Sequence, residues 1–151
     1  MSQAERYMSF SLGEEEYAVP LLQVREVIAL PEVTVVPQTP SYFLGIMNLR
    51  GQVISVIDLR LKLGFKAGKT KETAVIIFDL GQAKIGVVVD TVNNVLSPTA
   101  EDISDRPAGS GNQHEYIAGI YRRTDKLVFL IDMAKALNMT DLAAVQRAQA
   151  A

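Results

Sequence analysis

The side chains that could do chemistry in this chain are few, and their spacing argues against most of it. The single histidine, His114, stands in "RPAGSGNQH" with no carboxylate at ligand or relay spacing, and the chain has no cysteine. A metal site or an activated nucleophile needs such neighbours, so His114 reads as a solvated loop residue, and neither a metal nor a cofactor is expected. Glu14, Glu15 and Glu16 follow Gly13. Three consecutive carboxylates suit a solvated hairpin turn better than a calcium site, which takes more oxygen ligands at wider spacing. Asp58 and Asp132 each end a strand-like run and precede "LRLKL" and "MAKAL". Without a His or Lys partner in sequence they read as caps, their carboxylates accepting from the first free amides of a short helix. The "GSG" of the same loop lacks the strand before and the helix after that a phosphate loop or a nucleophile elbow requires. No enzymatic activity is expected from these residues. Arg50 is harder to dismiss. It lies in "NLRG", between Asn48 and Gly51, at the bend of a hairpin whose other positions are mostly apolar, and it is either a polar turn residue or a recognition residue.

The elements that would hold Arg50 are legible around it. "GIMNLRGQVISVIDL" (45–59) reads as two strands joined by a tight turn, with Gly51 supplying positive φ and Val53, Ile54, Val56 and Ile57 suiting a well-buried strand. Strands are expected near 7–12, 16–19, 24–30, 45–49 and 52–57, then near 73–79, 84–89, 92–97, 116–122 and 126–131. Short runs punctuated by turn residues indicate a sandwich or small barrels rather than a parallel α/β sheet. The chain also repeats itself. Laid without gaps on 44–63, the segment 118–137 sets Gly119 on Gly45, Ile120 on Ile46, Ile131 on Ile57, Asp132 on Asp58 and Leu137 on Leu63. Residues 78–96 fall likewise on 10–28, pairing Phe78 with Phe10 and Gly81 with Gly13. Paired glycines at turns and paired aspartates after strands indicate two related halves, approximately 7–68 and 72–138, with strand exchange between them left open. Thr124 stands where Arg50 stands in the first half, so the bend itself does not require a guanidinium. Leu63-Gly64 and 66–71 read as the linker, 105–114 as a mobile loop, and 139–151 as a helical tail.

Composition narrows the partners. The chain has 151 residues, is 48% hydrophobic and carries a formal net charge of −2, enough for one ordinary core or two small barrels sharing a seam. The absence of cysteine fits a reducing compartment, cytoplasm by default. "MSQAERYMSF" contains neither a signal peptide nor an anchor, so direct membrane contact is not expected. Scattered Lys and Arg without tryptophan give no footprint for nucleic acid.

Taken in succession, "FSLGEEEYAVPLLQVREVI", "PSYFLGIMNLRGQVISVIDLRLKLG", "AVIIFDLGQAKIGVVVDTVNNVLS" and "YIAGIYRRTDKLVFLIDMAKAL" resemble the CheW family of bacterial chemotaxis coupling proteins, over roughly residues 7 to 138. The resemblance implies an all-β fold of two five-stranded SH3-like β-barrels sharing a hydrophobic seam, with short helices and a C-terminal helix, in a single domain 1–151. It implies an adaptor without enzymatic activity that joins the cytoplasmic tips of chemoreceptors to the histidine kinase CheA through the kinase's regulatory domain. Position by position, the receptor-facing groove would fall on Val24, Glu26, Gly45, Asn48, Arg50 and Val75, and a kinase-facing surface on Asp90 and Val92. For Val24 and Val75 periodicity alone favours a buried strand valine. Relatives often carry proline where this chain has Ser55, whose amide leaves that strand edge free to pair. An adaptor of another pathway such as pilus motility, a detached kinase regulatory half, and a small-barrel ligand- or nucleic-acid-binding module remain alternatives.

Overall fold

In the computed structural model of the chain, the structure describes residues 6–66, 68, 70–79, 84–104, 116–123 and 125–137. Eleven strands and two short helices run in the order β1 (Tyr7–Leu12), β2 (Glu15–Pro20), β3 (Val24–Ala29), β4 (Phe43–Leu49), β5 (Gln52–Asp58), α1 (Leu59–Lys62), β6 (Ala74–Asp79), β7 (Lys84–Val89), β8 (Thr91–Leu96), β9 (Ile103–Ser104), β10 (Ile117–Arg123), β11 (Lys126–Ile131) and α2 (Met133–Ala136). The ten expected strands all form, within two residues of their expected ends. The two-residue β9 was not expected, since so short a run has no readable period. No helix among the described residues is long and apolar enough to cross a membrane.

The strands assemble into two sheets, one in the order β8-β1-β2-β11-β10-β9 and one in the order β3-β6-β7-β5-β4. Each sheet draws on both sequence halves. β1 pairs with β8 from the second half, and β3 pairs with β6, so the halves exchange strands reciprocally. Under the repeat the two strand orders superimpose, and local details recur with them. Both hairpins bulge before their glycine, between Phe43 and Gly45 and between Ile117 and Gly119. Asp58 N–H donates to the Tyr42 carbonyl and Asp132 N–H to the Tyr116 carbonyl, both at 2.7 Å. Parallel pairs β5–β7 and β11–β2 also correspond.

Burial follows position in the sheet. β6 and β7 are central and buried on both faces, which explains their unbroken apolar runs. Ala74, Ile76 and Phe78 of β6 face the main cluster, where they meet Phe10, Leu12, Tyr17 and Val19 of the other sheet, so one apolar seam serves both sheets. Val75 and Ile77 point the other way, into a second cluster with Met47, Ile54, Val56 and Val88. The five-stranded sheet curls, because the chain beyond β3 returns to β4: Thr34 and Ile46 exchange two backbone hydrogen bonds of 2.8 Å. Strand pairing defines two curled sheets; among the described residues it does not draw closed rings. Both helices are capped as expected, Asp58 accepting from Arg60 N–H at 3.0 Å and Asp132 from Lys135 N–H at 3.3 Å.

Ser55 stands in a strand paired on both sides, opposite Ile46 and Ile85. β5 is flanked by β4 and β7, so it has no free edge, and Ser55 is fully buried with its hydroxyl unpartnered. Gly81, Thr124, the loop 105–114 with His114, and the tail 139–151 lie outside the described residues.

Candidate functional site

Arg50 and Gly51 form the two-residue loop between β4 and β5, flanked by the Leu49–Gln52 pair. Their φ values are 52° and 89°. Positive φ at both positions defines the mirror-image turn whose twist matches a hairpin, and an arginine rarely adopts it. Asn48 fixes the bend, its Oδ1 accepting from Gly51 N–H at 2.9 Å. The guanidinium of Arg50 leaves the turn and donates through Nη2 to Glu26 Oε1 of β3. Two residues on opposite edge strands of the sheet are thereby brought together, which the curl of the sheet alone makes possible.

Around this pair lies a groove at the mouth of the curled sheet. Its rim is polar. Arg25 donates through Nη2 and Nε to Asp79 Oδ2 at 2.6 and 3.1 Å, and Lys84 Nζ to Gln52 Oε1 at 3.2 Å. Its floor is Ile54 and Ile77, each 1% exposed. Exposed apolar surface lies instead on the other face of the flanking strands, at Val27 and Val53. The Arg50 side chain is 69% exposed and that of Glu26 32%, so the pair adds little to stability and stays open to a partner.

The remaining sequence-derived positions divide. Val75 does not line this groove: it is fully buried within the second cluster, because β6 is a central strand covered on both faces. Val24 is half-buried and packs on the main cluster, since a bulge between Val24 and Glu26 turns the two residues to opposite faces. Gly45 is buried at φ 142°, and a Cβ there would stand 2.0 Å from the Thr34 carbonyl oxygen. Its glycine is required by the returning chain. Asp90 is committed internally, one oxygen accepting from Arg60 Nη1 at 3.0 Å and the other from Gly13 N–H at 2.7 Å. Val92 is half-buried and borders a second groove with Glu16, Asn94, Arg123 and Leu127.

Sequence reasoning missed Arg60. It is 3% exposed, and its guanidinium donates through Nε and Nη2 to the two oxygens of Asp58 at 3.0 and 2.9 Å. Those hydrogen bonds hold its pKa above the ordinary guanidinium value, against the cost of burial. The "DLR" triplet was the available signal, but a surface arginine reads the same way. Among the described residues no three His, Asp or Glu side chains gather as a metal ion would need.

A two-sheet all-β fold without gathered metal ligands among its described residues is the class of the molecule, and comparison with known proteins defines the family. The CheW-like domain family matches residues 6–141; the chain belongs to the CheW family. It is 36% identical over 143 residues to the chemotaxis protein CheW of Klebsiella aerogenes, across 93% of this chain and 86% of that protein. It is 33% identical over 133 residues to the chemotaxis protein CheW of Helicobacter pylori, across 87% and 81%. The crystal structure of the scaffolding protein TtCheW from Thermoanaerobacter tengcongensis superimposes with a TM-score of 0.83 at 32% identity, covering 91% of this chain and 95% of that one.

Proposed function

We propose that this chain is a chemotaxis adaptor that couples the cytoplasmic tips of transmembrane chemoreceptors to the histidine kinase CheA, without a chemical step of its own. What carries the reading is membership of the CheW family along nearly the whole chain. The adaptor works in the cytoplasm, recruited to receptor arrays at the membrane. A helical receptor tip meets β3 and the β4–β5 bend. On the groove face the Glu26–Arg50 pair offers one acceptor and one planar donor group that set orientation and register, and the tip that continues over the β3 edge reaches the exposed Val27 on its other side. Contacts of micromolar strength, about −8 kcal/mol each, suffice, because repetition over a lattice raises effective concentration.

Arg50→Glu tests the reading. The substitution places two carboxylates together at the groove mouth and removes the donor, while the bend keeps Gly51 and Asn48. Receptor-dependent stimulation of the kinase in a reconstituted mixture should fall by about tenfold or more, as for a lost charge-assisted contact, with the circular dichroism of the parent. Thr124→Glu, at the repeat-equivalent position, should matter less. Full stimulation by Arg50→Glu would reduce Arg50 to a turn residue.

A further inference from the structure

The chain passes between the two sheets at repeat-equivalent places, from β2 to β3 and from β7 to β8. The repeat aligns Leu22 with Asp90 and Ala134 with Arg60. The two passages are built differently. At the second, Arg60 grips Asp58 at the end of β5 with two donors, and its Nη1 reaches both Asp90 Oδ1 at 3.0 Å and the Gly68 carbonyl at 2.7 Å. Asp90 Oδ2 then accepts from Gly13 N–H in the β1–β2 turn of the opposite sheet at 2.7 Å. A charge network, buried at Arg60 and Asp58 and reaching the surface at Asp90 and Gly13, thus runs from one sheet, through the passage, to the other.

Among the described residues the first passage has no such network. Leu21–Gln23 forms a single 3-10 turn without a buried residue, and Pro20 before it supplies no side-chain cap. Leu22 is 95% exposed, and Gln23 Oε1 is buried without a partner. The turn is tethered by backbone alone, Leu21 N–H donating to the Arg6 carbonyl at 2.9 Å and Val24 N–H to the Leu21 carbonyl.

We propose that the two passages are a fixed joint and a compliant joint: Arg60 clamps the β7–β8 passage to both sheets, while the β2–β3 passage shifts and carries β3 with it. Opening the clamped β7–β8 passage would take from the buried Arg60 guanidinium its Asp90 carboxylate. Opening the β2–β3 passage frees a turn with no buried residue, disturbs at its end only the half-buried Val24, and lets water reach the orphaned Gln23 oxygen, so it belongs to the low-stability end of the molecule. β3 carries Glu26, so a partner at the groove would act on the joint that moves. That last consequence rests on the adaptor reading; the asymmetry of the joints does not.

Amide hydrogen exchange on the full chain, with no partner present, tests it. Leu22–Val24 amides should exchange at least about tenfold faster than Asp90–Val92 amides. Arg60→Met should speed exchange at Asp90–Val92 and Gly13 by a similar factor and leave Leu22–Val24 unchanged, with Arg60→Lys, a point charge without the fork, in between. If Arg60→Met fails to fold, the clamp can be transplanted: Leu22→Asp with Ala134→Arg, both at exposed positions, should slow exchange at Leu22–Val24. Equal rates at the two passages in the parent, or a transplant that folds and leaves Leu22–Val24 as fast as before, would overturn the proposal.

Discussion

Arg50 adopts a backbone conformation that its own ion pair does little to offset. A left-handed backbone costs a non-glycine residue about 1–2 kcal/mol, and the exposed pair with Glu26 returns at most about 1 kcal/mol. The local conformation is held by Gly51, by Asn48 and by the strands on either side, so the bend does not depend on the exposed Arg50 side chain. Ser55 is the opposite case, a polar atom that the fold carries without benefit. Its hydroxyl is sealed between β4 and β7 with no partner, and an unsatisfied buried hydroxyl costs about 1–3 kcal/mol. Ser55→Ala should therefore raise stability by about 1 kcal/mol, read as a higher midpoint in urea with an unchanged slope. A lower midpoint would mean that the hydroxyl has a partner in solution.

At the scale of elements, α1 and α2 look alike in sequence and differ in what their caps hold. Asp132 caps α2, and among the described residues its carboxylate accepts no other hydrogen bond. Asp58 caps α1 and also holds both arms of a buried arginine. Asp132→Ala should cost about 1 kcal/mol, the usual value of a cap. Asp58→Ala should cost about 3–5 kcal/mol, because Arg60 keeps its charge and loses its main partner in the interior. Chemical denaturation of both variants measures the difference, and equal losses would show that the Arg60 network is not energetically distinct from a cap. Gly45 belongs to this scale too. Its lack of a side chain lets Thr34 cross β4, so a loss of binding in Gly45 variants would report on the sheet rather than on contact with a partner.

At the scale of the whole molecule, the six-stranded sheet lines its side of the shared seam with packed aromatic rings. Tyr17 of β2 stacks on Phe10 at 6.1 Å between ring centroids and meets Phe129 at 5.5 Å. Burial, with smaller contributions from Tyr116 and Glu15, pushes its pKa up to about 12. A phenol whose proton is held more tightly in the folded state gives stability that is complete below its unfolded pKa, near 10, and is lost as pH rises through the folded value. The protein should lose on the order of 2 kcal/mol between about pH 10 and 12. Thermal melts across that range should show the loss in the parent and a weaker dependence in Tyr17→Phe, the remainder coming from groups such as Tyr116, whose pKa burial also raises. An unchanged alkaline slope in Tyr17→Phe would remove Tyr17 as the cause.

The strands, the two caps, the Arg50–Gly51 bend, the internal repeat and the family were all set by the sequence itself, because each is written within a dozen or so residues as a period, a turn residue or a motif. Tertiary structure alone decided which strands pair. The repeat makes β1 equivalent to β6 and β3 equivalent to β8, and backbone hydrogen bonds do not depend on which copy supplies the partner, so the sequence could not say that β3 joins β6 while β8 joins β1. Burial of Val75 followed from that exchange. A valine in an apolar run reads the same on a groove wall as in a strand covered on both faces, and only the placing of β6 between β3 and β7 closed it off. Arg60 was undecided for a related reason: Asp58 stands two residues away in sequence, but Asp90 lies far along the chain, and a charged side chain is buried only where folding brings such partners to it.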